Sequence, residues 1–156
     1  MMIIREMHHG ERHMLRDFLY DAIFVPDGML PPDKSIIERP ELQVYIEDFG
    51  CRESDKCLAA EVNGEIAGAV WTRIMHDYGH IDDDTPSLAV SVKRNHRRQG
   101  IGTALIKEMI NCIRQSGYTR ASLSVQKANY AVKMYMKLGF EIFSENDEEY
   151  IMLIKL

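Results

Sequence analysis

The run from Ser87 to Gly117 most narrows what this chain can become. It joins an alternating, β-branched segment, SLAVSV, to a basic turn, KRNHRRQGIG, and then to a stretch with Ile101, Leu105, Met109 and Ile113 on one face. The apolar spacing of that last stretch predicts an amphipathic helix ending near Gly117, where a glycine can take the left-handed closing turn. Strand, glycine turn and helix thus follow without a gap, and such a turn aims several free backbone N–H groups at one point. Gly100 and Gly102 let a ligand approach the backbone with no Cβ in the way, and the helix start adds partial positive charge, which suits a phosphate or diphosphate. Arg97, Arg98 and Lys93 add full charges nearby. The segment is neither GxxxxGK[ST] nor GxGxxG, because Leu105 stands where the second pattern wants a small residue.

The rest of the chain reads as alternating elements around this unit. Met2 to Glu6 is β-rich, and Glu11 to Phe24 carries Met14, Leu15, Phe18, Leu19, Ala22 and Ile23 at helical spacing. VPDGMLPPDK breaks regular structure and is a candidate substrate loop, followed by a predicted helix from Pro40 to Phe49. Lys56 to Val62 and Glu65 to Met75 read as two strands joined at Asn63-Gly64, the dipeptide suited to a tight hairpin. Ala121 to Val125 is strand-like, Asn129 to Leu138 helical up to Gly139, and Phe140 to Phe143 with Tyr150 to Ile154 form a closing antiparallel pair.

A length of 156 residues with 46% apolar side chains predicts one compact domain over 1–156. The net charge of −5 argues against nucleic acid or an anionic membrane as the main partner. No apolar run approaches the roughly 20 residues of a membrane span, and the N-terminus lacks a signal-peptide pattern, so a cytoplasmic protein is expected. Cys51, Cys57 and Cys112 are odd in number and lack CxxC spacing, which points to reduced thiols.

Arg97-x-x-Gly100-x-Gly102 after a strand resembles the acetyl-CoA diphosphate signature, Q/R-x-x-G-x-G/A, of the GNAT (Gcn5-related N-acetyltransferase) superfamily. Asn129 to Phe140 resembles its later motif, an Asn at a helix start and a Tyr, here Tyr135, four residues before Gly-Phe. Asn129 precedes Tyr135 by six residues, where many relatives have seven. The resemblance covers essentially the whole chain and is specific in its second half. It implies an α/β (α+β) fold with a central mixed, mostly antiparallel sheet flanked by helices and splayed strands at the cofactor cleft.

The resemblance also implies a reaction, the direct attack of a primary amine on acetyl-CoA. Leu88 to Val92 would bind the pantetheine arm through unpaired backbone groups. The N–H of Val92, with Val90 as the fallback, would face the acetyl oxygen, and Tyr135 would be the general acid that protonates the leaving thiolate. Val90, Val92, Lys93, Arg97, Arg98, Gln99, Gly100, Ile101, Gly102, Thr103, Asn129 and Tyr135 are the expected cofactor-binding residues. The strand entry Asp84-Thr85-Pro86-Ser87 lacks the glutamate that many relatives carry, which leaves Asp84, His80 and Glu149 as candidates for a general base.

Blander readings compete with each of these. The basic run alone would be a solvated surface, and Tyr135 alone a half-buried packing residue. His76 and His80 have i, i+4 spacing in a loop that does not read as a helix, so no metal site is expected. Asp82-Asp83-Asp84 reads as a solvated loop, and Cys112 as packed. A non-catalytic acyl-CoA-binding domain is the main alternative, and a nucleotide-binding α/β domain a remote one. Residues 21 to 55 hold nine acidic side chains against three basic ones, which favours a cationic amine acceptor, peptide N-terminus, lysine, polyamine or aminoglycoside. A homodimer is possible.

Overall fold

The computed structural model describes residues Met1 to Leu156. Its strands are β1 (Met2–Glu6), β2 (Lys56–Val62), β3 (Glu65–Arg73), β4 (Ser87–Val92), β5 (Arg120–Gln126), β6 (Glu141–Glu145) and β7 (Glu149–Lys155), and its helices α1 (Leu15–Ala22), α2 (Pro40–Gln43), α3 (Ile101–Gln115) and α4 (Ala131–Leu138). The strands form one sheet in the order β1-β2-β3-β4-β5-β7-β6, antiparallel except where β4 meets β5. The predicted mixed, mostly antiparallel sheet is therefore present.

The hairpin lies where Asn63-Gly64 requires it, with φ of 51° and 83° at those two residues. The central strand β3 is buried along nearly its whole length because both faces of the sheet are covered. On one face Val70, Leu105, Ile106, Met109, Leu123 and Met152 form a core beneath α3 and α4. On the other, Leu15, Phe18, Leu19, Tyr45, Ala69 and Trp71 form a second core beneath α1 and the 34–49 segment. Gly68 is needed where β3 and β4 press together, since a Cβ there would stand 2.9 Å from the Ser91 carbonyl oxygen.

Several predicted elements are shorter than expected, for local reasons. The helix expected from Glu11 begins instead as a 3₁₀ segment, His9–Met14, because the Glu11 carboxylate reaches back to the His8 N–H at 2.8 Å and is gripped by Arg5. The helix expected to run from Pro40 to Phe49 stops at Gln43, and turns follow. There the carbonyls of Val44 and Glu47 are turned to the Arg73 guanidinium at 3.0 and 2.9 Å, and Asp48 and Gly50 take positive φ. Strand β3 ends at Arg73, short of Met75, because the next N–H, of Ile74, is taken by the Ser54 hydroxyl. Helix α4 starts at Ala131 rather than Asn129, whose side chain accepts the Ala131 N–H at 2.9 Å.

Arg73 and Asp55 form a fully buried ion pair, Nη2 to Oδ2 at 2.7 Å. Backbone N–H groups of Gly50 and Arg52 also donate to Asp55, and the Phe49 ring covers the guanidinium. Burial works against the Asp55 charge, but Arg73 and these N–H donors hold its carboxyl below the usual carboxylate range. Replacing Asp55 by Ala would strand a buried guanidinium, so Asp55→Ala is expected to lose about 3–5 kcal/mol in denaturant unfolding. A loss under about 1 kcal/mol would show that water reaches Arg73 freely.

Candidate functional site

The site begins where the sheet comes apart. Ser87 opposite Ser122 is the single register pair between β4 and β5, with Ser122 N–H donating to Pro86 O at 2.9 Å. Beyond it the two parallel strands diverge. On its other side β4 stays paired with β3, and Lys93 N–H donating to Ala67 O at 2.8 Å sets the phase of that ladder. In an antiparallel ladder alternate residues point their N–H outward, so those of Leu88, Val90 and Val92 point away from β3; Leu88 lies at the β5 contact, and those of Val90 and Val92 face the opening. The expected splay of this strand from its neighbour is present.

The glycine turn closes one end of the opening. Arg98 at φ 64° and Gly100 at φ 80° both lie in the left-handed region, which turns successive N–H groups toward one concave side. Ala104 N–H makes the first bond back to Gly100 O, leaving the N–H groups of Ile101, Gly102 and Thr103 free at the start of the fifteen-residue α3. A Cβ on Gly102 would meet only Val92 Cγ2 at 3.7 Å and Met134 Sδ at 3.9 Å, so the G/A tolerance of the motif has a physical basis here. These free donors fit a phosphate. Ile101 contributes through its backbone, since its side chain is buried in the core.

The charged side chains divide. Arg97 does not face the concavity. Its guanidinium donates to Val92 O at 3.0 Å and Asp21 O at 3.3 Å, tying the turn to the C-terminal end of α1. Lys93 reaches Glu65 at 3.4 Å, while Arg98 and Gln99 are exposed. A groove of about 430 Å³ continues between α3 and α4, lined by Thr103, Lys107, Met134, Lys137 and Leu138. Lys107 and Lys137 escaped the sequence reading. The trace was there, since Lys107 is one helical turn from Thr103 on the same face.

Tyr135 is buried in the core on this side of the sheet, its ring edge-on to Phe140 at 5.7 Å. Burial alone pushes its phenol up to about 12. Asn129 is engaged in the local turn before α4. Cys57 and Cys112 are inert thiols, the first pushed up to about 12 by burial, the second raised by burial and by Glu108.

The opposite face of the sheet holds groups that the sequence did not single out. The 74–86 segment leans on β5, Ser122 Oγ donating to Gly79 O at 2.7 Å, and a Cβ on Gly79 would lie 3.0 Å from both the Leu123 carbonyl carbon and the Ser124 nitrogen. This brings Asp77 beneath Tyr45. The Ser87 hydroxyl donates to Asp77 Oδ2, while Asp77 Oδ1 is buried without a partner. The Tyr45 phenol stands beside Asp77 and Ser124, raised first by burial and then by the Asp77 charge. Burial also raises the Asp77 carboxyl, against the Ser87 hydrogen bond and the nearby Tyr45 phenol.

Beside this cluster lie Tyr78, Glu41 and Glu149. Tyr78 is raised by burial and by the two carboxylates, and Glu149 by burial and by Glu148. Of the three base candidates, Glu149 thus belongs to the rim, accepting from Gln126 at 2.9 Å. Asp84 is exposed in a turn capped by Asp82, which is itself paired with Arg120. His80 sits 3.7 Å from Asp83 with its ring 4.4 Å from that of His76, so a non-helical turn brings together two imidazoles that sequence spacing alone left apart.

Comparisons with known proteins agree on the relationship. The solved acetyltransferase of Streptococcus pneumoniae is 21% identical and covers 100% of both chains, with a TM-score of 0.71. The paia N-acetyltransferase of Thermoplasma acidophilum, solved in complex with coenzyme A, is 17% identical over 100% of this chain and 99% of that one, with a TM-score of 0.74. In sequence, human N-alpha-acetyltransferase 30 is 30% identical over 87% of this chain and 38% of its own length. The N-alpha-acetyltransferase of Sulfurisphaera tokodaii is 27% identical over 64% of this chain and 68% of its own. The chain spans 41% of the length of mouse N-acetyltransferase family 8 members 3 and 7. No helix is long and apolar enough to cross a membrane. The acetyltransferase (GNAT) family pattern matches residues 20–140, and with the divergent β4 and β5 and the glycine turn this chain belongs to that family.

Proposed function

We propose that residues 1–156 act as one catalytic domain that transfers the acetyl group of acetyl-CoA to a primary amine. The observation that carries this reading is the single-pair contact between β4 and β5, with its free N–H edge running into the concave turn before α3. In this reading the free N–H groups of Ile101, Gly102 and Thr103 hold the diphosphate, joined by exposed Arg98 and Gln99. Lys107 and Lys137 flank the groove that takes the rest of the nucleotide. Arg97 and Lys93 shape the turn.

The pantetheine arm adds to the free edge of β4 as another strand would. Val92 N–H, or Val90 N–H two residues nearer the apex, donates to the acetyl oxygen, where negative charge grows as the amine attacks. The phenol of Tyr135, raised to about 12, stays protonated throughout the neutral range and gives up its proton only as the sulfur becomes a thiolate. The acidic rim of Glu41 and Glu149 favours an acceptor that arrives as a cation. Three relatives carry N-alpha-acetyltransferase names, which puts a peptide α-amino group first among the acceptors.

Release of coenzyme A thiol with a panel of primary amines tests the reading, and a chain that releases none with any of them overturns it. Tyr135→Phe is expected to lower kcat by roughly 10²-fold while acetyl-CoA affinity in calorimetry stays within about twofold. Unchanged kcat would remove the acid role. Lys137→Ala is expected to raise the KM for acetyl-CoA about tenfold, as losing one charged hydrogen bond does, with kcat kept. No change in that KM would place the nucleotide elsewhere.

A further inference from the structure

We propose that Asp77 receives the acceptor's ammonium and takes its proton, acting as the general base of the transfer, an inference that rests on the acetyltransferase reading above. Three independent features of its setting lead there. Asp77 Oδ1 is buried and has no hydrogen-bond partner, and a carboxylate oxygen shut away from water without a donor is costly unless a donor is supplied. Its other oxygen is fixed by the hydroxyl of Ser87, the residue at which the β4–β5 contact ends. The third feature is placement. Tyr135 belongs to the core under α3 and α4, whereas Tyr45, beside Asp77, belongs to the core on the opposite face. A thioester seated toward the apex of the opening, its oxygen at Val90 N–H, would have the acid on one side and the carboxylate on the other, whereas one at Val92 would lie five residues, roughly 16 Å, from Ser87.

The groups facing Asp77 suit this role. Tyr45 comes from the turn after α2, Ser87 from β4 and Ser124 from β5. Tyr78 and Gly79 come from its own segment, with His76 as its chain neighbour and His80 three residues on. Arg73, at the end of β3, is occupied by Asp55. Burial raises the Asp77 carboxyl, which makes it a better proton acceptor than an exposed aspartate.

The proton balance closes. An acceptor R–NH3⁺ gives one proton to Asp77, and the neutral nitrogen then forms the C–N bond to the acetyl carbon. The C–S bond breaks, sulfur leaves with its electron pair, and Tyr135 protonates it. The second nitrogen proton returns to the tyrosinate through water, Asp77 releases its proton to solvent, and the net products are amide, thiol and one proton.

Asp77→Asn keeps the size of the side chain and its hydrogen bond from Ser87 but removes the base. With an α-blocked lysine, whose amine has a pKa near 10.4, the neutral fraction at pH 7 is below roughly 10⁻³. Asp77→Asn is expected to cut kcat/KM for that amine about 10²-fold at pH 7, and its rate should climb about tenfold per pH unit toward pH 9 as free amine replaces the base. A peptide N-terminus, with a pKa near 8, should suffer much less. Asp77→Glu should keep the flatter wild-type pH profile.

Asp77→Asn turnover within about threefold of wild type with the lysine acceptor would overturn the assignment, as would equal losses for both amines. Loss of acetyl-CoA affinity or of a cooperative melt in Asp77→Asn would mark Asp77 as structural and overturn it too. A wild-type chain inactive with every amine would sink the transferase reading itself, which separates the two failures.

Discussion

Everything about the site follows from β4 and β5 sharing only the contact at Ser87 and Ser122. A parallel pair that continued would satisfy the outward N–H groups of Val90 and Val92 and leave no edge for a ligand. The divergence is held from both ends. At the apex, the 74–86 segment occupies the side of β5, through Ser122 Oγ on Gly79 O and the close seat of Gly79 on the Leu123–Ser124 peptide. At the far end, Arg97 fills the outward carbonyl of Val92 and ties the turn to the last residues of α1. A backbone edge left open in a folded sheet is unusual, and here both flanking elements keep it so.

The buried Arg73–Asp55 pair explains how the Tyr45 side of the site is held in place. Arg73 ends the central strand and binds the carbonyls of Val44 and Glu47, so the turn carrying Tyr45 is fixed to the sheet directly. Trp71, two residues earlier, donates its indole N–H to Tyr45 O at 3.2 Å. Two side chains of β3 therefore position Tyr45, and Tyr45 covers Asp77. This chain of contacts transmits the geometry of the sheet to a loop residue, so a carboxylate outside any strand or helix is still held firmly.

The strands and the longer helices were legible because their signals are periodic and local: the alternation in Ser87 to Val92, the helical face of α3, and the Asn63-Gly64 turn. Tyr135 and Gly100 were singled out by the family motifs they complete, and the structure puts Gly100 at the start of α3 and Tyr135 in the core beside Phe140. What stayed hidden depends on distant partners. Nothing between Pro40 and Phe49 announces that Arg73, far along the chain, will bind its carbonyls and cut the helix short. Asp77 was passed over for the same reason, since its importance comes from Ser87, Tyr45 and Ser124, three residues from three separate segments. Arg97 shows the opposite error. Its place in the motif suggested a phosphate ligand, while its hydrogen bonds are to backbone carbonyls.

Net charge describes the whole chain and not its faces. The chain carries −5, but charge acts at short range in salt, with a screening length of about 8–10 Å. Lys107, Lys137 and Arg98 gather with the free N–H groups of α3 on one side of the sheet, and Asp77, Glu41 and Glu149 gather on the other. The molecule is thus polarised across its sheet, basic where a diphosphate would rest and acidic where an ammonium would enter. In the proposed reaction two substrates of opposite charge would approach the same opening from opposite faces without competing for a single field, and Tyr135 and Asp77 would fall on the sides where an acid and a base are needed.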